Sequence, residues 1–338
     1  LPRGLSRSSR VTRRRKNPGA PSDSLRGTGV SIAVIDCGTN STRLLVVDED
    51  GVTLERLMTI TRLGQDLGRT GRLHPEATER VLRCLANYRN VMDAHHVTDG
   101  LLVATSAARD ADNGREFLVE CERRTRLPVA LLSGLEEAAA SFRGATADLP
   151  VDQRTTLIID IGGGSTELAF YSGTELVTYS MQLGCVRVSE AHFGRGEISS
   201  TMRRDAVAMI RGEIDRMVDM EPRFLTLTNN VRLVGLAGTV ATLAQMDTST
   251  ATYDREIVHH HVMSLPTVRK WIDVLAHETP EQRLRHPGMV PGREDVLVGG
   301  LLVLEEVMAR FAIEELLSSE CDILDGVASS MIEKRRES

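Results

Sequence analysis

The chain is 338 residues long, 41% hydrophobic and only 3% aromatic, which suits two domains of ordinary size with aliphatic cores and excludes a small stapled module. The formal net charge of −6 is uneven: the first 29 residues carry eight basic residues against Asp23, a net +7, leaving −13 for the rest, so the body has no global field to gather a polyanion and must meet one with local arginines and bound cations. No apolar run reaches the roughly 18 residues that cross a bilayer, and no apolar stretch follows the basic start, which excludes a spanning or exported chain and leaves a soluble cytoplasmic protein as the expectation.

In chain order, residues 1–29 are rich in Arg, Ser, Gly and Pro without periodicity and are expected to be disordered. Residues 30–35, 42–47 and 53–62 alternate or run apolar between Gly and Asp turns, which predicts three consecutive strands. Residues 74–95 carry Ala77, Val81, Leu85, Tyr88, Val91 and Met92 at helical spacing, with Pro75 suited to the first turn. A strand at 101–105, a helix at 115–124, a strand at 129–132 and a helix at 136–147 follow, and the expected hinge is near Leu149-Pro150. Beyond it the pattern restarts with strands at 156–161, 167–171 and 175–182, helices at 189–193 and 201–220, and a strand at 231–236. Helices at 238–246, 265–277 and 295–311 precede a last helix at 327–334, led by Ile323-Leu324-Asp325-Gly326. Periodicity alone makes this an α/β chain. Five cysteines (Cys37, Cys84, Cys121, Cys185, Cys321) form no Cys-x-x-Cys pair and fit reduced thiols.

The most informative stretch is Leu157-Ile158-Ile159-Asp160-Ile161-Gly162-Gly163-Gly164-Ser165-Thr166-Glu167, which reads as strand, tight turn, strand. Three glycines remove every Cβ from the turn, permit φ > 0, and let the N–H groups of Gly162, Gly163, Gly164 and Ser165 converge on an anion. Asp160 and Glu167 stand at its two ends. Carboxylates beside an anion cradle repel the anion unless a cation lies between, which points to Mg²⁺ or to a water being deprotonated. A second copy, Asp36-Cys37-Gly38-Thr39-Asn40-Ser41-Thr42, matches at four of seven positions with an offset of 124 residues. A repeated supersecondary unit implies two similar domains, each offering one hairpin to a shared cleft.

Three further features carry chemistry. Gly235-Leu236-Ala237-Gly238-Thr239 ends a strand and opens a helix whose N–H groups suit another phosphate, with Thr239 as a plain N-cap the competing reading. Glu136 and Glu137 follow Ser133-Gly134 in a first turn, where acids often serve only the helix dipole. Arg43 and Arg109 offer planar forks that match two phosphate oxygens. His259-His260-His261 are not taken as a metal site, because neighbouring strand residues point to opposite faces and no Cys or acid at zinc spacing accompanies them; one of them is read as lining the substrate channel instead.

Together these stretches resemble the exopolyphosphatase and guanosine pentaphosphate phosphohydrolase family, within the superfamily of acetate and sugar kinases, heat-shock chaperones and actin. The resemblance rests on residues 36–45, 104–111, 133–138, 160–167 and 235–243, in the family's order, over roughly residues 30–335. It implies two actin-like (ribonuclease H-like) domains in tandem with an interdomain cleft, residues 30–149 and 150–322, with the C-terminal helix 323–336 returning to the first. By the same resemblance Glu137 orients and deprotonates the attacking water, with Glu167 as the alternative base. Arg43 contacts phosphate, as do Asn40, Ser41, Gly238 and Thr239, and Arg109 and Asn113 stand at the cleft wall, Arg109 as a further phosphate ligand. Mg²⁺ at Asp160 and Glu167, with or without K⁺, and a homodimer are implied as well. The family more often has Gly-Gly-Thr where Ala237-Gly238-Thr239 stands, so a closer backbone approach is not expected here.

The implied activity is hydrolysis of the terminal phosphoanhydride of inorganic polyphosphate, with guanosine pentaphosphate as the alternative substrate. Longer family members append a helical domain, and this chain ends at Ser338 without one, which favours shorter polyphosphates or nucleotides. The Glu137 motif and Ser165-Thr166-Glu167 speak against an ATP-dependent kinase, and the retained acids against a non-catalytic phosphate-binding regulator. Neither a membrane nor a specific nucleic acid is an expected partner.

Overall fold

The computed structural model describes residues 30–194, 196–227, 230–250 and 252–337; the basic stretch expected to be disordered lies outside the described residues. The first lobe runs β1 (Ser31–Cys37), β2 (Ser41–Val47), β3 (Thr53–Ile60), α1 (Leu67–Thr70), α2 (Pro75–Ala94), β4 (Val97–Ala104), α3 (Ser106–Asp110), α4 (Gly114–Thr125), β5 (Val129–Leu131) and α5 (Gly134–Thr146). The second runs β6 (Thr155–Ile161), β7 (Thr166–Ser172), β8 (Glu175–Met181), α6 (Cys185–His192), α7 (Ser200–Met220), β9 (Val231–Leu236), α8 (Ala237–Asp247), α9 (Arg255–Val258), β10 (Val262–Ser264), α10 (Leu265–Ala276), α11 (Pro280–Arg283), α12 (Leu297–Arg310) and β11 (Glu315–Ser318). The chain closes with α13 (Ile323–Arg336).

The first sheet has the order β3-β2-β1-β4-β5, and the second β10-β11-β9-β6-β7-β8. Read from β8, the second sheet repeats the first strand for strand and adds β10 as an antiparallel edge. In each, a three-stranded antiparallel meander continues into parallel strands, and the central strand is buried along its whole length in β1 and from Leu157 onward in β6. This is the duplicated ribonuclease H-like, actin-like architecture.

Two helices form the layer between the lobes. Ala138, Phe142 and Ala145 of α5 pack on Ile158, Ala169, Val234 and Leu236 of the second sheet. Ile323, Leu324, Val327 and Ala328 of α13 pack on Ile32, Val34, Leu45 and Val47 of the first. The expected hinge near Leu149-Pro150 separates the two sequence copies, but α5, which precedes it, covers the second sheet. The helices cross at backbone contact: a Cβ on Gly144 would lie 1.9 Å from the Asp322 carbonyl oxygen, and one on Gly326 1.9 Å from that of Ala140.

Most expected elements are present within a few residues of their ends. β11 and β10 were not anticipated from the sequence, nor were α1, α3, α9 and α11, each a turn or so long. α6 begins at Cys185 rather than 189 because the Cys185 and Val186 N–H groups donate to the carbonyls of Gly162 and Gly163, at 2.9 Å each. The Gly163 carbonyl also accepts the Arg187 N–H at 3.1 Å, so the turn's acceptors are satisfied by the opening of α6.

Candidate active site

A cavity of about 570 Å³ opens between the lobes, with both glycine turns, Glu137, Asp160, Gly238 and Asp322 on its wall. The two turns share one geometry: Gly38 N–H donates to Ser41 O at 3.0 Å and Gly162 N–H to Ser165 O at 3.1 Å. None of Gly162, Gly163 and Gly164 has positive φ. Their glycines serve close approach instead, because a Cβ on Gly163 would lie 2.8 Å from Thr39 Cβ and one on Gly164 2.4 Å from Ser106 Oγ. The expectation of left-handed turn residues is thus replaced by one of touching hairpin tips. Behind the tips a second cavity of about 1090 Å³ opens, sharing Thr39, Asn40, Ser106, Gly163 and Gly164 with the first.

The copies differ at one decisive position. Across the β1–β2 ladder Asp36 faces Arg43; across β6–β7 the equivalent pair is Asp160 and Glu167. In the first turn the charges cancel: Arg43 Nε and Nη2 donate to Asp36 Oδ2 at 3.0 and 2.7 Å, while Nη1 reaches Asp322 Oδ2 at 2.5 Å. Asp322 also caps α13 and pairs with Arg56 at 3.2 Å; although burial opposes it, Arg43 and Arg56 hold its carboxyl below the usual range. Arg43 therefore lines the cavity while its guanidinium is committed to two acids.

In the second turn no ion pair forms among the described residues. Asp160 Oδ2 accepts from Ser141 Oγ at 2.7 Å and Glu167 Oε1 from Ser180 Oγ at 2.7 Å, while Glu167 Oε2 is buried without a partner. Burial, opposed by Arg43, pushes Asp160 up to about 6, and burial together with Asp160 pushes Glu167 up to about 8. The donor set is all oxygen and two buried carboxyls resist ionising together, which fits a hard divalent cation that would favour their charged forms. Asp36 Oδ1 and both amide atoms of Asn40 are likewise buried without partners on the cavity wall, groups that a phosphate or its hydration would satisfy.

The adjacent acids of α5 divide their roles. Glu136 completes a capping box with Ser133, accepting its N–H at 2.8 Å, and is held below the usual carboxylate range by that bond. Glu137 is buried at the cavity, and burial, then the charges of Glu167 and Asp160, push it well up. Arg109 reaches Glu137 Oε2 at 3.4 Å and the Leu132 carbonyl at 2.7 Å from behind, with Nη2 unpartnered.

Other expected residues fall elsewhere. Asn113 exchanges hydrogen bonds with the Leu73 backbone at 2.8 and 3.2 Å and is off the cavity wall. Thr239 is no N-cap: α8 starts after Leu236, and the Thr239 hydroxyl is buried without a partner. His259, His260 and His261 are absent from the wall as well. Ala237, standing where a glycine is usual, adopts φ 63°, a conformation that costs a β-carbon residue about 1–2 kcal/mol.

Sequence reading missed Arg293. It is 7% exposed, lines the cavity, and forms no ion pair among the described residues. Its guanidinium lies against Gly238, where a Cβ would come within 1.8 Å of Cζ. Burial pulls its pKa down, so an anion arriving at the α8 N-terminus supplies the missing charge. Only Pro291-Gly292 before it marked a sharp turn, and a lone arginine in a loop carries no signal.

Two ribonuclease H-like lobes that close paired glycine turns and buried carboxylates over one cleft define an actin-like phosphoryl-transfer protein. Residues 44–335 match the Ppx/GppA phosphatase family, and the chain belongs to that family, as a phosphoanhydride hydrolase. It is 35% identical over 316 residues to Exopolyphosphatase 2 of Mycobacterium tuberculosis, covering 89% of this chain and 98% of that one. To the guanosine-5'-triphosphate,3'-diphosphate pyrophosphatase of Aeromonas hydrophila it is 27% identical over 323 residues, covering 89% of this chain but 63% of that protein. The crystal structure of an exopolyphosphatase-like protein superposes with a TM-score of 0.84 at 31% identity, over 90% of this chain and 100% of the other.

Proposed function

We propose that this chain hydrolyses the terminal phosphoanhydride of inorganic polyphosphate and releases orthophosphate. The observation that carries the reading is the divergence of the duplicated turns: one has its acid paired with Arg43, and the other holds buried acids without an ion pair among the described residues, beside a buried Glu137. The turn amides other than those of Gly38 and Gly162, which donate within their turns, bind the end phosphate, and Arg293 with the α8 N-terminus binds the next. Glu137, its pKa raised by burial and its acidic neighbours, takes a proton from the attacking water, with Arg109 fixing its orientation; Glu167 is the alternative base. Mg²⁺ fits Asp160 and Glu167, and when bound it supplies charge neutralisation of the reacting phosphates; K⁺ as a second cation rests on the resemblance alone. Positioning and charge are most of what phosphoryl transfer needs.

Guanosine pentaphosphate is the second reading, favoured by one feature of the cleft. Leu57, Met58, Ala241, Met289, Val290 and Pro291 line it beside the phosphate site, and a polyphosphate has no apolar surface to set against them, whereas a purine does. Phosphate release from polyphosphates of defined length and from guanosine pentaphosphate, side by side with Mg²⁺ varied, decides between them; turnover of neither overturns the reading. Among the described residues no helix is long and apolar enough to cross a membrane. A cytoplasmic homodimer completes the proposal on family resemblance, and light scattering in solution tests the dimer.

A further inference from the structure

The three adjacent histidines lack metal-ligand spacing in sequence, but the fold brings the missing donors to them from elsewhere. Asp148 lies in the crossover from α5 to β6, Cys321 in the crossover from β11 to α13, and His259 directly after α9. His259 Nε2 is 2.7 Å from Asp148 Oδ2, Cys321 Sγ is 3.6 Å from the same oxygen, and the three ligand atoms lie within 4.8 Å of one another. His260 stacks on His259 with ring centroids 3.8 Å apart; its Nε2 is 3.6 Å from Asp148 Oδ1 and is buried with no hydrogen-bond partner. Tetrahedral ligands at roughly 2.0–2.3 Å from a metal sit roughly 3.3–3.8 Å from each other, so small side-chain shifts bring this set to coordination distance.

We propose that Asp148, His259 and Cys321, with His260 as fourth donor, bind a thiophilic divalent cation of the Zn²⁺ class where the two interlobe crossovers meet. Nitrogen, oxygen and sulfur donors together select a borderline-soft ion over Mg²⁺. Burial, with the charge of His260 adding to it and Asp148 opposing, holds His259 below its ordinary value, which favours the neutral ring that ligates. Burial, with Asp325 and Asp148, pushes the Cys321 thiol up to about 12, and the ion would replace its proton. Arg255 Nη2 donates to Cys321 Sγ at 3.1 Å, the outer hydrogen bond that a metal thiolate keeps. Asp148 is exposed, which gives the ion a way in.

Loading breaks one contact. His259 Nδ1 accepts the Glu320 N–H at 3.1 Å, and ligation through Nε2 moves the ring proton to Nδ1, so this bond is lost. Glu320 and Asp322 flank Cys321 and lie on the active-site wall, so occupancy is felt at the catalytic cleft. The competing account is an Asp148–His259 hydrogen bond that only pins the crossover.

The full chain, stripped with a chelator and held in excess Mg²⁺, is titrated with Co²⁺ and then Zn²⁺. One equivalent of Co²⁺ is expected to give ligand-field absorption with a thiolate-to-cobalt charge-transfer band, both abolished by Zn²⁺. Cys321→Ser loses the band and His259→Gln weakens binding tenfold or more, while Cys84→Ser retains both. Should Cys321→Ser fail to fold by circular dichroism, the isosteric Asp148→Asn takes its place, with weakened binding expected. No saturable binding to the folded wild type, or a charge-transfer band that survives Cys321→Ser, overturns the site.

Discussion

Arg43 and Glu167 occupy one position of a repeat, and the swap of charge between them sets the chemistry of the cleft. Asp160 and Glu167 have folded-state values near 6 and 8, above the ordinary 3.8 and 4.5. A carboxyl raised on folding binds its proton more tightly in the native state, so its stabilising contribution is complete at low pH and is lost as pH climbs. In Mg²⁺-free buffer we therefore expect the melting temperature to fall as pH rises from about 4.5 to about 8, and Mg²⁺ to flatten the slope by favouring the ionised forms. Calorimetry across that range checks this, and a slope unaffected by Mg²⁺ removes the ion from these two acids. Glu137→Gln should lower turnover by roughly 10²–10⁴ with the fold intact; unaltered phosphate release leaves Glu167 as the base. Ala237→Gly should raise stability by about 0.5–1 kcal/mol, because relief of the positive φ exceeds the added freedom of the unfolded chain; denaturant titration reads it. At this scale the turn acids were legible because Asp160 and Glu167 are close in sequence. Arg293 and Asp322 were not, since each becomes part of the site only through tertiary approach.

Elements with strong periodicity could be read from sequence, and those defined by their neighbours could not. α2 shows seven buried positions on one face, and its period announces it. β11 is four residues long and owes its state to β9 on one side and β10 on the other, so no local alternation betrays it. The α5–α13 crossing is equally silent, because Gly144 and Gly326 lie 182 positions apart and glycine in a helix signals only weakness. Gly326→Ala is expected to destabilise the protein by about 1–3 kcal/mol through overpacking at that crossing. Gly68→Ala, in α1 with nothing within 4 Å of the added methyl, is the control and should be neutral or better. Equal stability of the two variants in denaturant would mean that the helices slide apart freely.

At the scale of the molecule, the duplication made the two-lobed plan and its cleft readable, but how the lobes are held together depends on contacts between distant residues. Polar contacts among the described residues that join the lobes around the rear cavity include Arg62 to Asp295 at 2.9 Å, the Asp66 N–H to Glu190 at 3.2 Å, and Arg187 to Asp110 at 2.7 Å. Arg187 differs from the others because Nε also donates to the Gly164 carbonyl at 2.7 Å, so one side chain ties the phosphate turn to the opposite lobe. The exposed ion pairs contribute little to stability on their own; their effect is on the spacing of the lobes. Loss of Arg187 frees the turn and the latch together, and the end phosphate then meets a wider, wetter cradle. Arg187→Ala should raise KM about three- to tenfold, the scale of one ordinary hydrogen bond, with a smaller drop in kcat and an increased radius of gyration in solution scattering. Arg187→Lys restores the charge to Asp110 without the planar fork and should recover compactness more than it recovers KM. An unchanged scattering profile and KM in Arg187→Ala would mean that the helix crossing alone sets the closure of the cleft.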